Sequence, residues 1–219
     1  MVKRLLDFLS REISGLHEAA YLLGFFAICS QVLALFRDRI LASEFGAGNV
    51  LDIYYSAFRI PDILFVTVAS IVSVSVLIPF LMERMDKGDV EAKQFIDSVF
   101  TFFFIFISVI GIIAYITAPF LMAKLFPLFT TSTDFPELVS LTRILILSPV
   151  FLGFSNLLAS ITQIHKRFFL YAISPVLYNV GIIFGIKFLY PIFGLSGLGY
   201  GVILGAFLHF STQIPFILS

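Results

Sequence analysis

The chain has one cysteine, no tryptophan, three histidines and few charges, with 14 basic and 14 acidic side chains making up 13% of 219 residues. Each scarcity excludes something. The lone thiol, Cys29, rules out an internal disulfide and argues against a cysteine-based metal site. His17, His165 and His209 are far apart in sequence and fall near the ends of apolar runs, so they read as interfacial residues and not as a ligand cluster. The balance of charges leaves none of the basic excess that marks nucleic-acid binding. There is no Gly-rich phosphate loop, no HExxH and no GxSxG. No catalytic chemistry, cofactor or metal is expected.

What is there is mostly hydrocarbon: 59% of the residues are hydrophobic and the mean hydropathy is +1.04. A soluble domain carries about 25% charged residues, twice the share found here. The long apolar runs lack strand-like alternation, which excludes a β-barrel. The composition therefore predicts an all-α integral membrane protein. Lys3, Arg4 and Arg11 precede the first apolar run as in a signal peptide, but that run is too long for one and no small-residue cleavage pattern follows. Ile28 stands before Cys29 where a lipoprotein signal has a small residue. The run is read as an uncleaved first span, and residues 1–18 before it as either a short interfacial helix or a loosely ordered terminus.

Six spans are expected, at about 19–41, 51–82, 98–123, 144–164, 168–186 and 197–217; the second is longer than one crossing needs, its charge-free part, 63–82, alone matching the ~20 residues a bilayer requires. FGAGN at 45–49 ends the first, with Gly46 and Gly48 suited to the left-handed conformation of helix ends and Asn49 placed to cap the next helix. The phenylalanine cluster of the third span (TFFFIFISV) is expected to face lipid, and His165–Arg167 to form a tight basic turn. Pro79, Pro119, Pro149 and Pro175 fall inside spans and predict kinked helices whose freed carbonyls find other partners. Counting Lys and Arg by side gives eight (Lys3, Arg4, Arg11, Arg84, Lys87, Lys93, Lys166, Arg167) against five (Arg37, Arg39, Lys124, Arg143, Lys187), with Arg59 held aside. That bias predicts both termini in the cytoplasm.

Ionisable groups concentrate between Ser30 and Asp62: Arg37, Asp38, Arg39, Glu44, Asp52, Arg59 and Asp62. Such groups in or beside membrane spans are costly and are functional candidates by default. Asp52, Tyr55, Arg59 and Asp62 follow helical 3-4-3 spacing and share one face, which Val66, Ser70 and Ser73 continue inward. Small residues also serve helix packing in membranes, so the serines have a structural reading as well. Arg59 has none and predicts a water-filled cavity.

This stretch, SQVLALFRDRILASEFGAGNVLDIYYSAFRIPD, closely resembles the start of the MurJ/MviN family of lipid II flippases, within the multidrug/oligosaccharidyl-lipid/polysaccharide exporter superfamily. The resemblance rests on Ser30, Val32, Leu33, Arg37, Asp38, Phe45–Gly48, Asp52, Ala57, Phe58 and Pro61. Ile78–Pro79, Lys166–Phe168 and the P-x-x-x-N of Pro175 and Asn179 fit as well. It departs from the family at Gln31 and Phe65, where arginines are usual, and at Ser70, where a glutamate is. Family members are about twice this length, so the resemblance implies one six-helix lobe with the second absent, and a fragment or truncated product is expected. A natural half-transporter would have to pair with a second copy or another lobe.

The resemblance implies alternating-access flipping of a lipid II-like, undecaprenyl-pyrophosphate-linked sugar across the bacterial cytoplasmic membrane. Arg37 and Arg59 would contact the pyrophosphate, with Arg39 and Gln31 nearby and Asp38 and Asp52 pairing with the arginines in the empty site. Tyr55, Asp62, Ser70, Ser73 and Asn179 would line the cavity. Two other readings remain open: a transport-inactive membrane scaffold that binds a partner protein, and an exporter of another lipid-linked oligosaccharide. A cation-coupled drug exporter ranks last, because no carboxylate lies between Ile63 and Met82.

Overall fold

The computed structural model describes residues 15–71 and 74–214, and the segment 1–18, expected as an interfacial helix or a loosely ordered terminus, falls almost wholly outside them. Every regular element among the described residues is helical. In chain order they are α1 (Leu16–Phe45), α2 (Asn49–Ala57), α3 (Arg59–Ile71), α4 (Val74–Met85) and α5 (Asp89–Leu125). A 3₁₀ turn at Pro127–Thr131 leads to α6 (Phe135–Leu145) and α7 (Leu147–Ile164). Then come α8 (Phe168–Phe184), a π-helical turn at Gly185–Leu189, the short α9 (Tyr190–Phe193) and α10 (Leu195–Ser211). Four stretches are long and apolar enough to cross a bilayer: His17–Phe45, Val90–Leu125, Phe135–Ile164 and Phe168–Phe193. α10 is apolar but shorter, and the second expected span is interrupted at Phe58, between α2 and α3.

The division has a sequence cause. Pro61 has no N–H to offer the carbonyl of Ala57, and α2 ends at that residue. Two of the carbonyls freed by the other prolines are taken up as expected. Opposite Pro149, the Ser148 hydroxyl donates to Leu145 O at 2.8 Å; opposite Pro119, Arg143 Nε donates to Tyr115 O at 3.1 Å. Gly46 adopts φ 63° at the end of α1, and Lys166 lies at φ 57° within the basic turn. Three local expectations are corrected. Gly48, not Asn49, caps α2, and the Asn49 amide instead donates to Asp134. The phenylalanine cluster does not all face lipid: Phe102 and Phe104 are exposed, but Phe103 is buried and meets Phe154 edge-on at 4.8 Å. The apolar helical stretch of the fourth expected span runs from Phe135 to Ile164, so Arg143, in the last turn of α6, lies eight residues inside it and not at its edge.

Two helix pairings set the frame. α1 and α8 run parallel and nearly in register, through Phe26 with Phe169, Arg37 with Asn179, Glu44 with Lys187 and Phe45 with Tyr190. α8 and its π turn run antiparallel to α10, through Ser174 with Thr212, Gly181 with Gly205, Gly185 with Gly201 and Leu189 with Gly197. A Cβ at Gly201 would lie 2.5 Å from the Gly185 Cα, so the two backbones touch. Small residues spaced by four allow such an approach in membranes, where dispersion rather than hydrophobic exclusion holds helices together. The main apolar core joins Leu41 of α1, Ile53 and Ala57 of α2, Met122 of α5, Leu138 and Leu145 of α6 and Val202 of α10.

A candidate anion site on the first, second and eighth helices

Ser30, Arg37 and Glu44 recur every seventh residue along α1, two turns apart, and so lie on the side that meets α8. This places Arg37 beside Asn179. Arg37 Nη1 donates to Asn179 Oδ1 at 2.8 Å, while Asn179 Nδ2 donates to Ser30 Oγ at 3.3 Å and to Pro175 O at 3.1 Å. The other side of the guanidinium is held by Asp38, with Nε at 2.8 Å and Nη2 at 2.7 Å from Oδ1. Arg37 is thus fixed from two directions, with its side chain 22% exposed and that of Asp38 48%. A charge-assisted fork of this kind positions a guanidinium for planar recognition of phosphate or carboxylate.

Further groups converge on it. Tyr54 and Tyr55 of α2 lie within electrostatic reach of both Arg37 and Asp38. Tyr178 of α8 is within reach of Arg37 and of Asp62 on α3, and Asp62 in turn lies near Arg59. Asp52, Tyr55, Arg59 and Asp62 are all exposed, whereas Ile53, Tyr54 and Ile60 on the same helices are buried. The expected polar face therefore exists as an open surface. Two arginines and two carboxylates, Arg37 with Asp38 and Arg59 near Asp62, leave the empty cluster without net charge.

Of the expected site residues the structure brings together Arg37, Asp38, Tyr55, Arg59, Asp62 and Asn179. Three stand apart. Asp52 makes no ion pair within 4 Å among the described residues; it lies in the first turn of α2, where the helix dipole stabilises a carboxylate without an arginine. Arg39 is two residues from Arg37, about 200° around the helix, and is exposed on the far side. Gln31 is exposed on α1, two turns before Asp38. Ser73 lies outside the described residues, as does the side chain of Ser70.

Residues 41–219 match the family model described as lipid II flippase MurJ. The chain belongs to the MurJ family. It is 30% identical over 207 residues to the lipid II flippase MurJ of Burkholderia cenocepacia, covering 92% of this chain and 40% of that protein. The lipid II flippase MurJ of Thermosipho africanus is 29% identical over 191 residues, covering 86% of this chain and 39% of its own. A solved structure of a lipid II flippase MurJ in an inward closed conformation superposes with a TM-score of 0.73 at 28% identity, over 89% of this chain and 41% of that one. The chain thus spans about two-fifths of the length of the MurJ proteins it matches. The all-α membrane fold expected from composition, and the transporter fold implied by the resemblance, is that of MurJ.

Sequence reasoning missed several residues that this arrangement uses. Tyr54 and Tyr178 flank the Arg37 cluster, and Tyr178 is the residue before Asn179 in the P-x-x-x-N segment. The Gly181–Gly185 and Gly197–Gly201–Gly205 spacing is the pattern of close helix pairing and was legible. His209 was read as interfacial, but it joins a polar cluster between α7 and α10: Ser155 Oγ lies 2.7 Å from His209 Nδ1 and accepts from Gln213 Nε2 at 2.6 Å.

Proposed function

We propose that this chain forms one six-helix lobe of a transporter that flips a lipid II-like, undecaprenyl-pyrophosphate-linked peptidoglycan precursor across the bacterial cytoplasmic membrane. The observation that carries the reading is the doubly held Arg37 at the junction of α1, α2 and α8, beside an open face bearing Arg59. The pyrophosphate would replace Asp38 and Asn179 as partner of Arg37, and Arg59 would supply the second cation. The lipid tail would remain in the bilayer. Flipping would proceed by rocking against a second lobe or a second copy, which would form the opposite wall.

Six crossings are supported by the parallel register of α1 with α8. Two parallel spans need an odd number of crossings between them. Among the described residues only Val90–Leu125 and Phe135–Ile164 are long apolar stretches there, so the segment from α2 through α4 would make the third. The bond from Asn49 to Asp134 joins the α1–α2 and α5–α6 connections on one side, in keeping with that path. With the basic bias, the path puts both termini in the cytoplasm.

The test is binding of a polyprenyl-pyrophosphate sugar to the purified protein, measured by native mass spectrometry or fluorescent-lipid titration. A charge-assisted bond to phosphate contributes about 1.5–3 kcal/mol, or roughly ten- to a hundredfold in affinity. Arg37→Ala and Arg59→Ala should each weaken binding by about that factor. Arg37→Lys should recover part of it, and Lys124→Ala should have little effect. Unchanged affinity in both alanine variants, with folding intact, overturns the reading and favours a scaffold.

A further inference from the structure

A groove of about 1110 Å³ runs between α5, α6, the start of α7 and α10. That exceeds the ~300–1,000 Å³ of pockets for drug-sized ligands. On α5 it reaches from Phe104 to Pro119, about 22 Å along the helix axis at 1.5 Å per residue. Its walls are almost entirely apolar, and Arg143 is the single charged residue that lines it. The groove is not part of the Arg37 face. On α6, Leu138, Leu141 and Leu145 are buried in the core that includes α2, Val139 borders that core and the groove alike, and Ser140 and Arg143 turn the other way to line the groove. The two surfaces are back to back.

Arg143 sits deep. It meets α5 at Tyr115, ten residues before the helix ends at Leu125, about 15 Å below that end. Its Nε donates to the Tyr115 carbonyl that Pro119 leaves free, and its guanidinium lies 4.9 Å from the centre of the Tyr115 ring. Among the described residues no carboxylate lies within 4 Å of it. A guanidinium has five N–H donors, and one carbonyl and one ring face leave terminal N–H groups available at the groove. An unpaired charge at this depth is expensive, and an anion brought in by the solvent of this surface, the lipid itself, would offset that cost.

We propose that this groove is a binding site for an anionic bilayer phospholipid, with an acyl chain along the α5–α10 wall and the phosphate on Arg143. Charge complementarity selects the occupant: an apolar slot as long as a leaflet is deep, with one cation near one end, matches a chain joined to a single phosphate. Phosphatidylglycerol meets both demands. Phosphatidylethanolamine carries an ammonium that opposes Arg143.

Native mass spectrometry of the purified protein with chain-matched phosphatidylglycerol, phosphatidylethanolamine and a polyprenyl pyrophosphate tests this. Phosphatidylglycerol should bind more tightly than phosphatidylethanolamine. Arg143→Ala should lower its affinity about tenfold or more and remove the preference, with Arg143→Lys retaining part. Because Arg143 also satisfies the Tyr115 carbonyl, Gly111→Phe supplies an independent arm that leaves that bond in place. A Cβ at Gly111 meets nothing nearer than Ile146 Cγ2 at 3.9 Å, so the ring should fill the groove and lower phosphatidylglycerol binding with Arg143 in place. Arg37→Ala should leave phosphatidylglycerol binding unchanged, which separates this site from the one proposed for the transported lipid. Equal binding of the two phospholipids, or no effect of Gly111→Phe, overturns the proposal. Arg143-dependent binding that favours the polyprenyl pyrophosphate assigns the groove to the transported lipid, and loss of phosphatidylglycerol on dimerisation assigns it to a second copy; either result also overturns it.

Discussion

Replacing Gly201 with alanine is the most direct probe of how this fold is held. The added Cβ would stand 2.5 Å from the Gly185 Cα. Carbon atoms in contact rest about 3.5–4.0 Å apart, so α8 and α10 must separate by about 1 Å. The opposing atom is backbone, and no rotamer change can make room. The separation also loosens Gly181 against Gly205 and the π turn against Gly197, because these contacts share the same two helix axes. Overpacking of this kind costs about 1–3 kcal/mol, and alanine returns about 0.5–1 kcal/mol through its better helix propensity. A net loss of about 1–2 kcal/mol lowers the ratio of folded to unfolded protein by roughly 5- to 30-fold. Equilibrium unfolding in mixed detergent and dodecyl sulfate, followed by far-ultraviolet circular dichroism, reads that change. Gly24→Ala serves as the comparison, because a Cβ there meets nothing within 4 Å; it should be neutral or stabilising. If Gly201→Ala proves as stable as Gly24→Ala, the close approach of α8 and α10 is not what holds this pair together.

The polar face of α2 and α3 is open to a thiol scan in protein whose Cys29 is replaced by Ser. Cysteines at Asp52, Tyr55, Arg59 and Asp62 should react with a charged maleimide, and those at Ile53, Tyr54 and Ile60 more slowly; uniform reactivity would contradict a water-filled cavity face. In the α5–α6 connection, hydrogen bonds from Ser132 and then Asn49 hold the Asp134 carboxyl below its usual range. A group whose pKa is depressed on folding contributes stability above its unfolded value and loses it as the pH falls through the folded one. Unfolding midpoints should therefore drop between neutral pH and values below the ordinary aspartate range of about 3.9. Asp134→Asn should flatten that drop, and an unaltered pH profile would count against the two hydrogen bonds.

Much of this architecture could be read from the sequence because its causes are local. Apolar runs of bilayer length gave the helices, Gly46 ended α1 and the prolines marked where carbonyls needed other partners. The face of Asp52, Tyr55, Arg59 and Asp62 followed from 3.6-residue periodicity alone. What periodicity could not supply was pairing between helices. That Asn179 meets Arg37 depends on α1 and α8 running in parallel register across about 140 residues of chain. Asp62, rather than Asp52, is the carboxylate near Arg59 for a local reason: the two share the first turn of α3, while Asp52 lies on α2 beyond the break at Phe58. Arg143 was placed at a span edge because the polar residues before it resemble a loop. The start of α6 lies among them, where Pro136 occupies a first-turn position that proline tolerates in a helix.

The backbone contact between α8 and α10 also has a mechanical consequence. Two helices that touch through glycines have no side-chain layer to shear, and a hydrogen bond between the Ser174 and Thr212 hydroxyls pins the same seam at its other end. The pair behaves as one stiff plate, to which α1 is fastened by longer side chains, Arg37 with Asn179 and Lys187 with Glu44. Deformation in such a body concentrates where stiffness is least: in the α2–α3 stretch, whose axis is already interrupted at Phe58. Any change of shape that opens one end of this lobe and closes the other is therefore borne by that stretch turning on the plate, carrying Arg59 and Asp62 past an Arg37 that stays still.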